Sequence, residues 1–239
     1  MNKSFRNKLL TTLLALAVFV IFTVAVLTVD VVSVEPADYS GSSAERTTIR
    51  IGFASLNVPF AHRIGFSQAW YSVSDILGYV SLLTAAAFGF VGLIRLIKRK
   101  NLWAVGGNIL ALGVFYIIVI SLYVIFSKVA INYRPVFTEA EPWLEASYPS
   151  SHTMLGLCVM ITAAVEVSGI VKNKAAAKVL FALFTLLALL ALFSRLLSGI
   201  HWLTDIFGSI ILSAALLSLW SLLREIVTDF CAKMLRTKS

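Results

Sequence analysis

Six long apolar runs, separated by short basic or polar stretches, limit this chain to one kind of fold. They cover residues 9–29, 73–94, 103–126, 153–171, 179–194 and 201–222. A helix of about 20 apolar residues crosses the ~30 Å hydrocarbon core of a bilayer with its backbone bonded internally. Only 13% of the residues are charged and 59% are hydrophobic, with a mean hydropathy of +0.90; soluble domains carry roughly 25% charged residues. The expectation is one all-α integral-membrane domain over 1–239, a polytopic bundle of six transmembrane helices. The net charge of +8 is no nucleic-acid footprint, because the basic residues cluster between the runs. Cys158 falls inside the fourth run and Cys231 in the terminal tail, which leaves no disulfide framework or cysteine metal motif.

Charge sets the expected orientation. The first run follows Lys3, Arg6 and Lys8, exceeds a signal-peptide core and precedes no Ala-x-Ala pattern, so it reads as a retained span. Arg95, Lys98, Arg99 and Lys100 close the second run; Lys172, Lys174 and Lys178 close the fourth; Arg224, Lys233, Arg236 and Lys238 follow the sixth. With both termini cytoplasmic, 14 of the 20 basic residues lie inside, as the positive-inside rule requires. The outer side keeps Arg46, Arg50, Arg63, Lys128, Arg134 and Arg195. This describes a multi-pass protein of the plasma (cytoplasmic) membrane with its polar chemistry on the extracytoplasmic face.

Between the first two runs, residues 34–70 are more polar. Asp38, Ser40, Gly41, Ser42 and Ser43 read as loop. Phe53, Phe60, Phe66, Trp70 and Tyr71 read as interfacial anchors, with a substrate lid as the alternative. A second polar loop holds Glu139, Glu141, Trp143 and Glu145. Asp75 heads the second run and reads as a helix cap, with repulsion of anions from the wrong entrance as the alternative, and Glu166 reads as structural, too deep for the site. His62 matches no chemical pattern.

The chemistry gathers where three run ends meet: Lys128 and Arg134-Pro135; Tyr148-Pro149-Ser150-Ser151-His152; and Ser194-Arg195 through Gly199, His201 and Asp205. Charges between apolar runs are costly and point to function. Four residues separate His201 from Asp205, which on a helix places them on one face; Gly199 offers a break that puts His201 at a helix start. Lys128, Arg134 and Arg195 can neutralise a phosphoryl dianion. The starts of the fourth and sixth helices add backbone N–H donors, and Ser150 or Ser151 can cap the fourth. Two histidines allow one to attack phosphorus and the other to protonate the leaving oxygen. Oriented by Asp205, His201 suits the nucleophile and His152 the acid.

These segments resemble the three signatures of the type 2 phosphatidic acid phosphatase (PAP2) superfamily: Lys-x6-Arg-Pro, Pro-Ser-Gly-His and Ser-Arg-x5-His-x3-Asp. The third is matched in full by Ser194, Arg195, His201 and Asp205. The second is matched by Pro149, Ser150 and His152, with Ser151 in place of glycine. The first keeps Arg134-Pro135, but five residues rather than six follow Lys128, and Ser127 takes the position of the family's lysine. The resemblance implies a phosphohistidine at His201 oriented by Asp205, with His152 as acid and then base. Lys128, Arg134, Arg195 and Ser150 would hold the phosphoryl oxygens, with Ser151 adding a hydroxyl donor, and neither metal nor cofactor would be needed. The implied activity is hydrolysis of a membrane lipid phosphate or pyrophosphate, of phosphatidic acid or prenyl type. Two other readings stay open: lipid phosphotransfer to an acceptor hydroxyl, and non-catalytic lipid-phosphate binding or transport.

Overall fold

The computed structural model describes residues 3–41, 47–140 and 142–237; the assignments made above for Ser42, Ser43, Arg46, Glu141 and Lys238 lie outside the described residues. Six helices carry the long apolar runs: α1 (Lys3–Thr28), α3 (Gln68–Arg99), α4 (Gly107–Lys128), α5 (Ser151–Ile170), α6 (Lys174–Leu197) and α7 (Leu203–Arg236). A short helix, α2 (Ala54–Ile64), precedes α3, and a 3-10 turn (Leu102–Val105) precedes α4. At 20 residues, α5 is about 30 Å long, the thickness of a hydrocarbon core.

Most elements outrun the apolar stretches that announce them. Helix α3 starts five residues before its run, where the Ser67 hydroxyl accepts the Trp70 N–H. Helix α7 starts at Leu203 and continues to Arg236, so Cys231 is a buried helical residue and not part of a loose tail. Helix α6 starts where the Asn173 carboxamide oxygen accepts the N–H groups of Ala175 and Ala176 at 2.9 and 3.0 Å.

Helix α5 is the centre of the bundle, packed on α3, α4, α6 and α7. Met154, Leu155, Cys158, Val159 and Ala163 meet Leu112, Phe115 and Val119 of α4 and Leu212 and Leu216 of α7 in one core. Helix α1 runs antiparallel along α7: Lys8 pairs with Glu225 at 2.7 Å and Thr12 shares a hydrogen bond with Ser218 at 2.9 Å. Around this core Leu14, Ile21, Leu83, Ile117, Val179 and Leu186 point outward, each more than half exposed. A soluble protein rarely tolerates so continuous an apolar surface; the chain is an integral multi-pass membrane protein.

The segment between α1 and α3 is more ordered than its polar sequence suggests. Strand β1 (Val32–Val34) pairs antiparallel with β3 (Ile49–Ile51), and β2 (Ala37–Tyr39), which contains Asp38, pairs parallel with β4 (Val136–Thr138). Ile49 and Ile51 are buried against Trp202. Helix α2 is fastened to the start of α7 by Asn57, which donates to the Thr204 hydroxyl at 2.9 Å and accepts the Thr204 N–H at 3.1 Å. These elements cover the bundle end that carries the α4–α5 and α6–α7 connections. At the opposite end Arg224 pairs with the buried Glu166 at 3.2 Å, the structural role expected of that glutamate.

Candidate active site

His201 precedes α7 instead of opening it. The loop between α6 and α7 turns at Gly199, whose φ of 72° favours glycine. A Cβ there would also lie 1.8 Å from the Gly65 carbonyl oxygen. Because His201 lies outside the helix, its geometry toward Asp205 is not that of a helical i,i+4 pair. Nδ1 of His201 stands 3.5 Å from Asp205 Oδ2 and 3.0 Å from the hydroxyl of Ser147. The Ser147 hydroxyl donates its one proton to Asp205 in a short bond, so toward His201 it is an acceptor. Nδ1 must then carry the hydrogen, and the lone pair sits on Nε2.

Asp205 is fully buried and held from three further directions. Asn132 donates to Oδ1 at 3.0 Å, the Trp202 N–H donates to Oδ2 at 2.9 Å, and the aspartate's own carbonyl accepts the Ser150 N–H at 3.3 Å. Buried polar groups are stable only with such partners. Burial, followed by the positive charges of Arg195, Arg134 and then His152, holds the His201 imidazole well below its ordinary pKa, while Ser147 acts the other way. His201 is therefore held neutral.

A 210 Å³ cavity is lined by Tyr71, Asp75, Tyr123, Arg134, His152 and Arg195, among others; His201 and Asp205 are buried and do not line it, but the charges of Arg195, Arg134 and His152 reach His201. Arg195 is 1% exposed. One Nη donates to Ser74 at 2.8 Å and to Asp75 at 3.1 Å, the other lies 3.4 Å from His152 Nδ1, and the guanidinium stands 5.4 Å from the centre of the Tyr71 ring. Its Nε is buried with no hydrogen-bond partner. His152 Nε2 lies 3.4 Å from the Tyr123 hydroxyl.

Of the residues nominated from sequence, Arg134, His152, Arg195, His201 and Asp205 are brought together. Ser150 stands at the N-cap position of α5 but makes no side-chain cap; its hydroxyl bonds that of Thr153 at 3.0 Å, and its carbonyl accepts the Ser209 hydroxyl at 2.9 Å. Ser151 is the first residue of α5, half-buried, also without a cap bond. Lys128 is exposed as the last residue of α4 and is not among the residues lining the cavity. Asp75 does not cap a helix; it lies inside α3, and Ser67 caps α3. Ser147 and Asn132, both buried, are site residues without a sequence signal, because a lone serine or asparagine in a polar loop carries no pattern. His62 lines a different cavity, with Glu35 and Trp202. Among the described residues no three His, Cys, Asp or Glu side chains gather as a metal-holding group.

The family model of the PAP2 superfamily matches residues 115–228, which contain every residue of the three motifs. This part of the chain, just under half of it, is similar to the PAP2 superfamily. Its backbone is similar to the crystal structure of the first transmembrane PAP2-type phosphatidylglycerolphosphate phosphatase from Bacillus subtilis. The TM-score is 0.53 at 18% identity, over 93% of this chain and 96% of that one. The comparison with curated proteins finds no match. The structural likeness supports the six-helix membrane bundle.

Proposed function

We propose that the protein hydrolyses a membrane lipid phosphate or pyrophosphate through a phosphohistidine at His201. The observation that carries this is the set of contacts at Nδ1 of His201, which assigns its tautomer. Ser147 and Asp205 occupy Nδ1 and leave the Nε2 lone pair available, beside two arginines and a second histidine.

In the first half-reaction Nε2 attacks phosphorus, the P–O bond to the lipid breaks, and the leaving oxygen takes a proton from His152. In the second, water attacks phosphorus, His152 accepts its proton, and the N–P bond breaks to release inorganic phosphate and neutral His201. Arg134 and Arg195 bind the equatorial oxygens, where charge collects. The unpartnered Nε of Arg195 supplies a donor for one of them. As Arg195 turns toward phosphate, it frees Nδ1 of His152 to hold a proton. The first N–H groups of α5, from Ser151 onward, add donors at a helix start.

A second cavity supports a lipid substrate. Between α3 and α4 lies an apolar space of 530 Å³ lined by Phe88, Gly89, Val105, Gly113 and Tyr116, and Leu82 lines both this cavity and the polar one. A phosphate headgroup in the polar cavity places its chain in the apolar one. The basic clusters of α3, α6 and α7 lie at the opposite end of the bundle, which by the positive-inside rule supports a site on the extracytoplasmic face of the plasma membrane.

The test is phosphate release by purified protein in lipid, with phosphatidic acid, phosphatidylglycerophosphate and a prenyl pyrophosphate as substrates. Release that disappears in His201→Ala is the expected result. Full activity in that variant would sink the proposal, because a nucleophile cannot be spared. Transfer of phosphate to an added alcohol, in place of release, would make the protein a phosphotransferase.

A further inference from the structure

Asp75 is a carboxylate inside a site built for anions. It is the one acidic residue lining the 210 Å³ cavity among the described residues, and its side chain is 35% exposed toward that space. An acid there repels phosphate, so its presence calls for a use that outweighs the repulsion. Two contacts supply one. Oδ1 lies 3.1 Å from Arg195 Nη1 and 3.8 Å from His152 Nε2.

The tautomer of His152 follows from its neighbours. Arg195 can only donate, so Nδ1, 3.4 Å from its Nη2, is an acceptor. In the neutral ring the hydrogen therefore sits on Nε2, which faces the Tyr123 hydroxyl and Asp75. The arrangement parallels that of His201, where a carboxylate also stands beside one ring nitrogen and leaves the other for chemistry.

We propose that Asp75 is a positioning residue for the phosphoryl transfer, orienting His152 through Nε2 and favouring a proton on Nδ1 once Arg195 turns from it to the phosphate, Nδ1 being the atom that gives its proton to the leaving oxygen. This rests on the phosphatase reading above and adds a residue that the three PAP2 motifs do not contain. The proton account closes: Nδ1–H goes to the leaving oxygen in the first half-reaction, and the attacking water returns one in the second. Nε2–H stays in place throughout.

The charges around His152 define what Asp75 must offset. Tyr71 and Tyr79 face the cavity from α3, Tyr123 from α4, Arg134 from the loop after α4 and Arg195 from α6. The buried His201 also interacts electrostatically with His152, and Glu145 acts on Arg134 from the second polar loop. Asp75 is the carboxylate within ion-pair reach of His152. An opposite charge at about 4–6 Å moves a titration by about 1–3 units.

The experiment compares two substrates in the unsubstituted protein, Asp75→Asn and Asp75→Glu. An alkyl lipid phosphate has a poor leaving group that needs a general acid; p-nitrophenyl phosphate does not. In Asp75→Asn, kcat for the lipid should fall by about tenfold or more with p-nitrophenyl phosphate nearly unchanged, and the alkaline limb of the lipid pH profile should move down by about one unit. Asp75→Glu, keeping the charge, should recover part of both effects. Equal losses on both substrates, an unmoved alkaline limb, or higher activity from relieved repulsion would each overturn the proposal. No release of either phosphate by the unsubstituted protein would overturn the phosphatase reading instead, so the two failures are told apart.

Discussion

The hydroxyl of Ser147 stands 3.0 Å from Nδ1 of His201 and gives its own proton to Asp205. The aspartate thus orients the histidine largely through a serine 54 residues earlier in the chain. Ser147→Ala removes the bridge and leaves only the 3.5 Å approach of the two side chains. We expect kcat for lipid phosphate to fall by about 10²-fold, the scale of a misplaced reacting group, with little change in KM. Steady-state kinetics on the purified variant checks this; an unchanged kcat would mean that Asp205 orients His201 unaided.

His201 also makes stability depend on pH. Its folded-state pKa is held below the ordinary value of about 6.5. The unfolded chain therefore binds a proton below that pH which the folded protein refuses, and stability falls as the solution is acidified. The contribution is complete above about pH 6.5 and fades as pH drops toward the depressed value. Thermal unfolding in detergent between pH 7.5 and 5 should show a smaller loss of Tm in His201→Gln than in the unsubstituted protein. An identical loss would remove His201 from the acid sensitivity.

The apolar cavity can be filled without disturbing the site. A Cβ on Gly89 or Gly113 would meet no atom within 4 Å, so Gly89→Leu and Gly113→Leu place a side chain into open space. Both should lower kcat/KM for long-chain lipid phosphates by about tenfold or more, and leave p-nitrophenyl phosphate within about twofold. Equal activity on both substrates would move the lipid chain elsewhere.

Arg195 and Lys128 should separate sharply. Arg195→Ala deletes a buried cation with contacts to Ser74, Asp75 and His152, and we expect a loss in kcat/KM of about 10²-fold or more. Lys128→Ala, at an exposed helix end, should stay within about twofold. A large loss for Lys128→Ala would restore the role that the PAP2 signature implies for it.

The difference between Lys128 and Arg195 also shows where sequence reasoning stops. One residue fewer between Lys128 and Arg134 is visible in the sequence. Where the lysine then points depends on how α4 ends and where the next loop turns. Asp75 at the head of an apolar run has the look of a cap; its position in the second turn of α3 became clear only with the earlier start of that helix at Gln68. Segment 34–70 reads as loop because three-residue strands are too short to show alternation. Their partners, β3 and β4, are set by register and not by local pattern.

What the sequence by itself determined is the six-span bundle and the meeting of His152, Arg195, His201 and Asp205 at one end of it. Span length and the cost of charge in lipid are local quantities, readable along the chain. Tertiary structure alone decided the partners: Ser147 and Asn132 on Asp205, Asp75 on Arg195, Asn57 on Thr204. Those pairs are separated by 58, 73, 120 and 147 residues. A buried polar group takes whichever complementary partner the packing brings within about 3 Å, and no local pattern encodes that choice.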